Sequence, residues 1–547
     1  MIKARWTMAL LALFVCNHPA LSQPMSGAKW REDLQALQQG IRSNHVAPFT
    51  HLKPQQLQDA IDSLSQRVDT LNQEQMLLEI GAIVALMQDG HSFVAGMHPL
   101  IEDLTGKPMR FASLPIRLYQ FSDGVFITHA HQSQQQYVGA KVLTVEGMAI
   151  KTCMDKVVQS FPSENALSRQ LLAARALTLP AAVQHYCQGQ PQQVTFELQT
   201  VRGKERVSFP ATDAFPHQVQ GIIDDPAWRA AIKEGIKPDY LRHANQLFWH
   251  RQIGKKLYVQ INQIKDDKNK ALLDYIDDVA ALVHQQNISH LILDLRLNPG
   301  GETDYVAEIV KRLAVLPTNQ TEHFFVLIGR RTFSAAQLLS TALEQYTHAL
   351  FIGEPTGSKV HFFANSRQNL VLPNSQLPLY LSTSRWQLTN MRDSRQYLAP
   401  QYYAPLSFTQ FQANQDPVLE AALNFPGLVD FDAEILAILD GKAYQHQDFV
   451  AQFRQFKAQL SNRYRDTETN INDLGYFLIE QGKLKEANAL FAYNVEDYPD
   501  SANALDSLAE SFLLLGDKQQ AIHYYQVALE KDPHFDNAAK MLKTLSL

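Results

Sequence analysis

Ser334 stands at a junction that chemistry can use. Before it runs the apolar stretch Phe324–Ile328, long enough for a buried strand, and the turn of Gly329 to Phe333. After it come good helix formers, with Leu338, Leu339, Ala342 and Leu343 on one face. A hydroxyl held there faces the free N–H groups and positive end of a helix, where developing negative charge is stabilised. The same position suits a plain capping serine, so this stretch alone leaves both roles open. Two further segments carry matching chemistry. Residues 291–295 read as a second buried strand, ending in the tight turn of Asn298, Pro299, Gly300 and Gly301, whose paired glycines let backbone N–H groups approach a ligand. His91 follows an Asp89-Gly90 turn and offers a base; taken alone it reads as a structural or solvated histidine.

Five runs occur in order: DLRLNPGG at 294–301, TFSA at 332–335, GEPTG at 353–357, LSTS at 381–384 and DPVLE at 416–420. Together they resemble the tail-specific, or C-terminal-processing, peptidase family, and in particular its tricorn-like branch. The resemblance covers residues 30–425 and is strongest over 255–425. It implies an exported serine peptidase acting through an acyl-enzyme on Ser334, with His91 as base and Asp393 as the carboxylate that orients the imidazole. Asp393 is the carboxylate of the stretch 391–400 that matches the family, although Gln401 stands where the family's turn has Asp. The oxyanion donors implied are the N–H groups of Ala335 and of Gly300 or Gly301. Lys359 is the competing base. It lies 25 residues beyond Ser334, as in the Ser–Lys branch of the family, and beside His91 it is expected to be a solvent-facing neighbour. No organic cofactor is implied, and no metal, because neither cysteine has a partner at ligand spacing. A non-catalytic binding protein on the same fold, similar to the interphotoreceptor retinoid-binding proteins, is the alternative.

The rest of the chain must position these groups. At 547 residues more than one domain is expected, and 45% hydrophobic residues suffice for sizeable cores. A formal net charge of −6 gives no reason to expect nucleic acid or an anionic membrane as partner. Residues 1–22 read as a secretory signal: Lys3 and Arg5, then an apolar run too short to span a bilayer, then small residues before a cleavage after Ser22. Cys16 invites a lipid-anchor reading, but Val15 before it is bulky. The expected location is outside the cytoplasm, with no integral membrane segment. Cys153 and Cys187 then remain, either paired or separately buried.

The expected fold class is α/β with four parts after the signal. Residues 23–108 form a helical bundle, and 109–212 a β-rich PDZ-like module with a helical insert. Residues 213–425 form the protease core, where strand and helix alternate as in a largely parallel sheet. The PDZ-like part serves either a peptide strand or a purely structural role. Residues 426–547 are helical and contain a repeat. Leu474, Gly482, Ala487, Phe491 and Pro499 recur 34 residues on as Leu508, Gly516, Ala521, Tyr525 and Pro533, which resembles two tetratricopeptide repeats at about 472–501 and 506–538. These are either a docking surface for a partner protein or a buttress. The substrate expected is a peptide or unfolded protein.

Overall fold

The computed structural model describes residues 25–97, 110–190, 192–212, 218–219, 222–223, 225–233, 235–391, 393–428 and 446–545. The expected signal at 1–22, and part of the helical stretch expected between 431 and 460, lie outside the described residues.

Three helices open the described chain: Gly27–Asn44, Pro54–Arg67 and Gln73–Ala85. Asn72 caps the third, accepting from the Gln75 N–H while Gln75 reaches back to the Asn72 N–H. Their apolar faces do not close on themselves. Leu34, Leu37, Ile80 and Val84 share one core with Ile127, Val142 and Phe196 of the following β module and with Leu379 and Leu381 from far along the chain. That β module is a seven-stranded antiparallel assembly, built on Gly124–His131, Lys141–Val145, Gln193–Thr200 and Gly203–Pro210. Between Met148–Ala149 and Gln193–Thr200 it carries the helices Ile150–Val157, Ala166–Ala176 and Pro180–Cys187. A Cys153–Cys187 disulfide, with Cα atoms 6.0 Å apart, joins the first of these helices to the third. The two cysteines are thus paired rather than separately buried.

A six-stranded sheet forms the second half: Phe248–Ile253, Lys256–Ile261, His290–Asp294, Phe324–Ile328, Leu350–Gly353 and Tyr402–Tyr403, neighbours in that order. The first pair is antiparallel and the rest parallel. Phe248–Ile253 supplies that antiparallel edge. The strand Phe324–Ile328 is buried along its whole length, as a central parallel strand covered on both faces must be. The helices Leu272–Gln285, Tyr305–Ala314 and Ala335–Tyr346 pack on it through one core.

Two features bring distant parts together. The strands His290–Asp294 and Phe324–Ile328 are parallel neighbours, with Asp294 opposite Leu327, so the loops that leave their C-terminal ends adjoin. The short strand Phe93–Val94 pairs with Tyr380 and Leu379, which carries the 89–92 turn of the first bundle to the same end of the sheet. Beyond the sheet, helices begin at Glu468, Leu484, Ala502 and Lys518, so the second pair repeats the first 34 residues on. Among the described residues no helix is long and apolar enough to cross a membrane.

Candidate active site

Ser334 precedes the first residue of the helix Ala335–Tyr346, yet its side chain makes no capping bond to that helix. Its backbone has φ +57° and ψ −125°. Such a conformation costs a non-glycine residue about 1–3 kcal/mol and persists where surrounding structure enforces it. A plain cap is neither strained nor idle, so the geometry disfavours the capping role. The enforcing contacts are visible. Thr332 Oγ1 donates to the Leu295 carbonyl at 2.9 Å, and the Phe333 N–H donates to the Asn298 carbonyl at 3.1 Å.

The glycine turn lies directly against this serine. A Cβ on Gly300 would stand 2.7 Å from Ser334 Cβ and 3.0 Å from the Ala335 nitrogen, so only glycine fits. Asn298 pins the turn: its Nδ2 donates to the Ile261 carbonyl at 2.9 Å, and its Oδ1 accepts the Gly300 N–H at 2.9 Å. That bond changes the expected oxyanion donors. The Gly300 N–H is already engaged, whereas those of Gly301 and Ala335 have no acceptor among the described residues.

His91 is held from every side. Its N–H donates to Asp89 Oδ1 at 2.9 Å. The other oxygen of Asp89 accepts from Ser92 Oγ at 2.5 Å and from His45 Nε2 at 3.0 Å. His45 Nδ1 accepts the Ala47 N–H, so Nε2 of that ring carries the proton it donates. Burial works to raise the Asp89 carboxyl, but the bonds from His45 and Ser92 and the nearness of His91 bring it below the ordinary carboxylate range. The imidazole of His91 stacks on Phe333 with ring centroids 4.5 Å apart, and on Phe362 at 5.4 Å. Phe333 is the chain neighbour of Ser334, so the stack brings the histidine to the loop that carries the serine. His91 Nε2 is buried and has no hydrogen-bond partner among the described residues. A proton acceptor is thereby kept free on the ring.

The other ring nitrogen corrects the expected triad. His91 Nδ1 lies 2.9 Å from Glu164 Oε1. The second oxygen of Glu164 accepts from Ser358 Oγ at 2.5 Å and from the Lys359 N–H at 2.9 Å. Asp393 is elsewhere: Arg395 holds it at 2.8 Å and is held in turn by Glu344 at 2.8 Å. Burial works to raise the Asp393 carboxyl, and the Arg395 bonds bring it below its usual range. Glu164 lies in the insert, just before Asn165, which caps the helix Ala166–Ala176. Asn165 Nδ2 donates to the carbonyls of Thr356 and Gln396, tying the insert to the loops that surround the site. In the sequence, nothing marks Glu164 apart from other acids.

Lys359 is also not as expected. It is buried, at 4% exposure, rather than solvent-facing. Its Nζ lies 3.0 Å from His51 Nε2 and 3.5 Å from the Gln88 carbonyl. Burial pushes its pKa down, while Glu164 and Asp89 act to raise it. Desolvation is what a lysine base needs, but these contacts direct the amine to His51. Asp89, His91 and Glu164 place one ligand atom each within 4.8 Å of one another. His91 Nδ1, both oxygens of Asp89 and both oxygens of Glu164 have hydrogen-bond partners within the protein.

The remaining runs brace the frame. Arg296 bridges Asp294 at 2.6 Å and Asp416 at 2.7 Å, both nearly buried, and Tyr258 Oη donates to Asp294 at 2.7 Å. Arg330 pairs with Glu354 at 2.7 Å. Gly357 approaches the Arg330 carbonyl so closely that a Cβ would stand 2.0 Å from it. These contacts fix the loops that surround Ser334, His91 and Glu164.

Comparison with known proteins agrees with this architecture. Residues 255–323 match the family model Peptidase family S41. No curated protein sequence matches the chain. Among solved structures the chain is similar to mature CPAF, at TM-score 0.51 and 13% identity over 74% of this chain and 99% of that one. A mutant of CPAF is similar at TM-score 0.52 and 12% identity, over 74% of this chain and 99% of that one. The tricorn protease aligns at TM-score 0.34 and 12% identity, over 73% of this chain and 36% of that one. The matched family goes with a serine peptidase, a hydrolase, and the CPAF structures share the fold.

Proposed function

We propose that the chain hydrolyses peptide bonds in peptides or unfolded proteins through an acyl-enzyme on Ser334. His91 Nε2 takes the serine proton as Oγ attacks the carbonyl carbon, and returns it to the leaving amine. Glu164 holds Nδ1–H, keeps the ring in that tautomer and stabilises the imidazolium. The N–H groups of Gly301 and Ala335 receive the oxyanion at the positive end of the helix. Water then cleaves the ester with His91 as base again. The observation that carries this reading is the strained Ser334 next to Phe333, on which His91 stacks with Nε2 free and Nδ1 on a buried carboxylate.

The finer readings belong here too. The histidine base and the Asp-Gly-His turn favour the tricorn-like branch. Export, a PDZ-like role for residues 109–212 and a tetratricopeptide role for the last helices are proposals resting on the sequence patterns. Casein turnover by the intact chain tests the activity. Wild type is expected to cleave it and Ser334→Ala to be inert. Equal and negligible turnover by both, on casein and on a panel of unfolded proteins, would favour a non-catalytic binding protein.

A further inference from the structure

A second cluster of polar side chains lies far from Ser334 in sequence, on the helices Glu468–Glu480, Ala502–Leu514, Lys518–Lys531 and Asp536–Leu545. Tyr476 Oη donates to Glu510 Oε2 at 2.8 Å, and Asn537 Nδ2 donates to Asp506 Oδ2 at 2.8 Å. Asn472 and Tyr476 are four residues apart on one helix, as are Asp506 and Glu510 on the next, so each pair shares a face. The cluster has a rim and a floor. Asn537 is exposed, Tyr476 and Glu510 are half-buried, and Asp506, Asn472 and Tyr525 are 6%, 9% and 0% exposed.

That floor is chemically incomplete. Asp506 Oδ1, Asn472 Oδ1 and Tyr525 Oη are buried without a hydrogen-bond partner among the described residues. Two of these atoms are pure acceptors, and one belongs to a carboxylate, so the floor lacks a donor. Desolvation pushes the Asp506 carboxyl up to about 6, with Glu510 adding to the rise and Asn537 opposing it. The surroundings share the sign: residues 468–545 hold thirteen acidic against six basic side chains, a formal −7 in a chain whose total is −6.

We infer that this cluster docks a basic side chain, arginine or lysine, of a partner polypeptide, seated on the Asp506–Glu510 pair with Tyr476 and Asn537 at its edge. A guanidinium supplies several N–H donors in a planar fork, which suits two carboxylates and an amide oxygen. A divalent cation suits the site less well. Asp506 Oδ2 and Glu510 Oε2 already accept bonds from an amide and a phenol, which are donors a metal would have to displace. The site is independent of the peptidase chemistry, because none of its residues touches Ser334, His91 or Glu164.

Fluorescence anisotropy on the full chain tests it, with Ser334→Ala present so that no peptide is consumed. The probes are a labelled nine-residue peptide of alternating Arg and Ser, and its counterpart with Glu for Arg. Saturable binding of the basic peptide, weakening with salt, and none of the acidic one is expected. Asp506→Asn and Glu510→Gln should each weaken it about tenfold or more. Asn537→Lys, at an exposed position that leaves the fold intact, should abolish it by placing a cation over the cluster. No binding of the basic peptide, equal binding by the variants, or equal binding of the acidic peptide would overturn the inference. So would calorimetry in which calcium or magnesium ions alone bind wild type but not Asp506→Asn while the peptide does not bind.

Discussion

His91 Nδ1 and Glu164 Oε1 lie 2.9 Å apart, although 73 residues separate them and the first strands of the β module intervene. Glu164 does not float: Ser358 and the Lys359 N–H fix its other oxygen. Three separate parts of the chain thus hold this pair together.

A first expectation follows from that pair. Glu164→Gln keeps the shape of the side chain but no longer enforces the Nδ1–H tautomer or stabilises the imidazolium. It should lower kcat by roughly 10²–10⁴-fold on a chromogenic peptide. Asp393→Asn should leave kcat within a few-fold, since Asp393 faces Arg395. A large loss from Asp393→Asn with little from Glu164→Gln would reverse the assignment.

Strain at Ser334 should be measurable. Glycine relieves φ +57°, so Ser334→Gly is expected to be more stable than Ser334→Ala by about 1 kcal/mol in urea unfolding, with both inactive. If Ala proves the more stable, the backbone is not strained there.

Gly300→Ala should fail in both respects. The added methyl meets Ser334 Cβ at 2.7 Å, and φ is +111°. Destabilisation of roughly 2–4 kcal/mol and near-complete loss of turnover are expected. Wild-type activity in the alanine variant would show that the turn relaxes away from Ser334.

Most of the frame was legible in the sequence, because parallel strands covered on both faces leave long apolar runs and their ends leave Gly, Pro and Asn. Asn298, Gly300 and Ser334 were found that way, and His91 by its Asp-Gly turn. Asp393 is the acid nearest in sequence to the family's turn, whereas in the structure it faces Arg395 and His91 meets Glu164 from an inserted segment. A single acid before a helix cap carries no periodicity and no special neighbours, so Glu164 was invisible. Lys359 was misjudged for a related reason. Its burial comes from the first helical bundle, some 300 residues away, through His51 and Gln88.

The pH dependence of stability should expose Asp506. In the folded chain its pKa is raised, from 3.8 to about 6. A raised carboxyl binds its proton more tightly folded than unfolded, so it is neutral to stability well below 3.8 and destabilises increasingly as pH rises to 6. Above that the penalty is constant, on the order of 3 kcal/mol at most. Asp506→Asn should therefore raise Tm by several degrees at pH 8 and by much less at pH 4. An equal change at both pH values would mean that the carboxyl is not desolvated.

The central claim is that His91 activates Ser334, and a fluorophosphonate probe tests it most directly. After labelling of the intact chain, peptide mapping by mass spectrometry is expected to place the adduct on Ser334 in wild type. The labelling rate should fall about 10³-fold or more in His91→Ala and stay within a few-fold in Lys359→Met. Labelling that survives in His91→Ala but is lost in Lys359→Met, or no adduct on Ser334 at all, would contradict it.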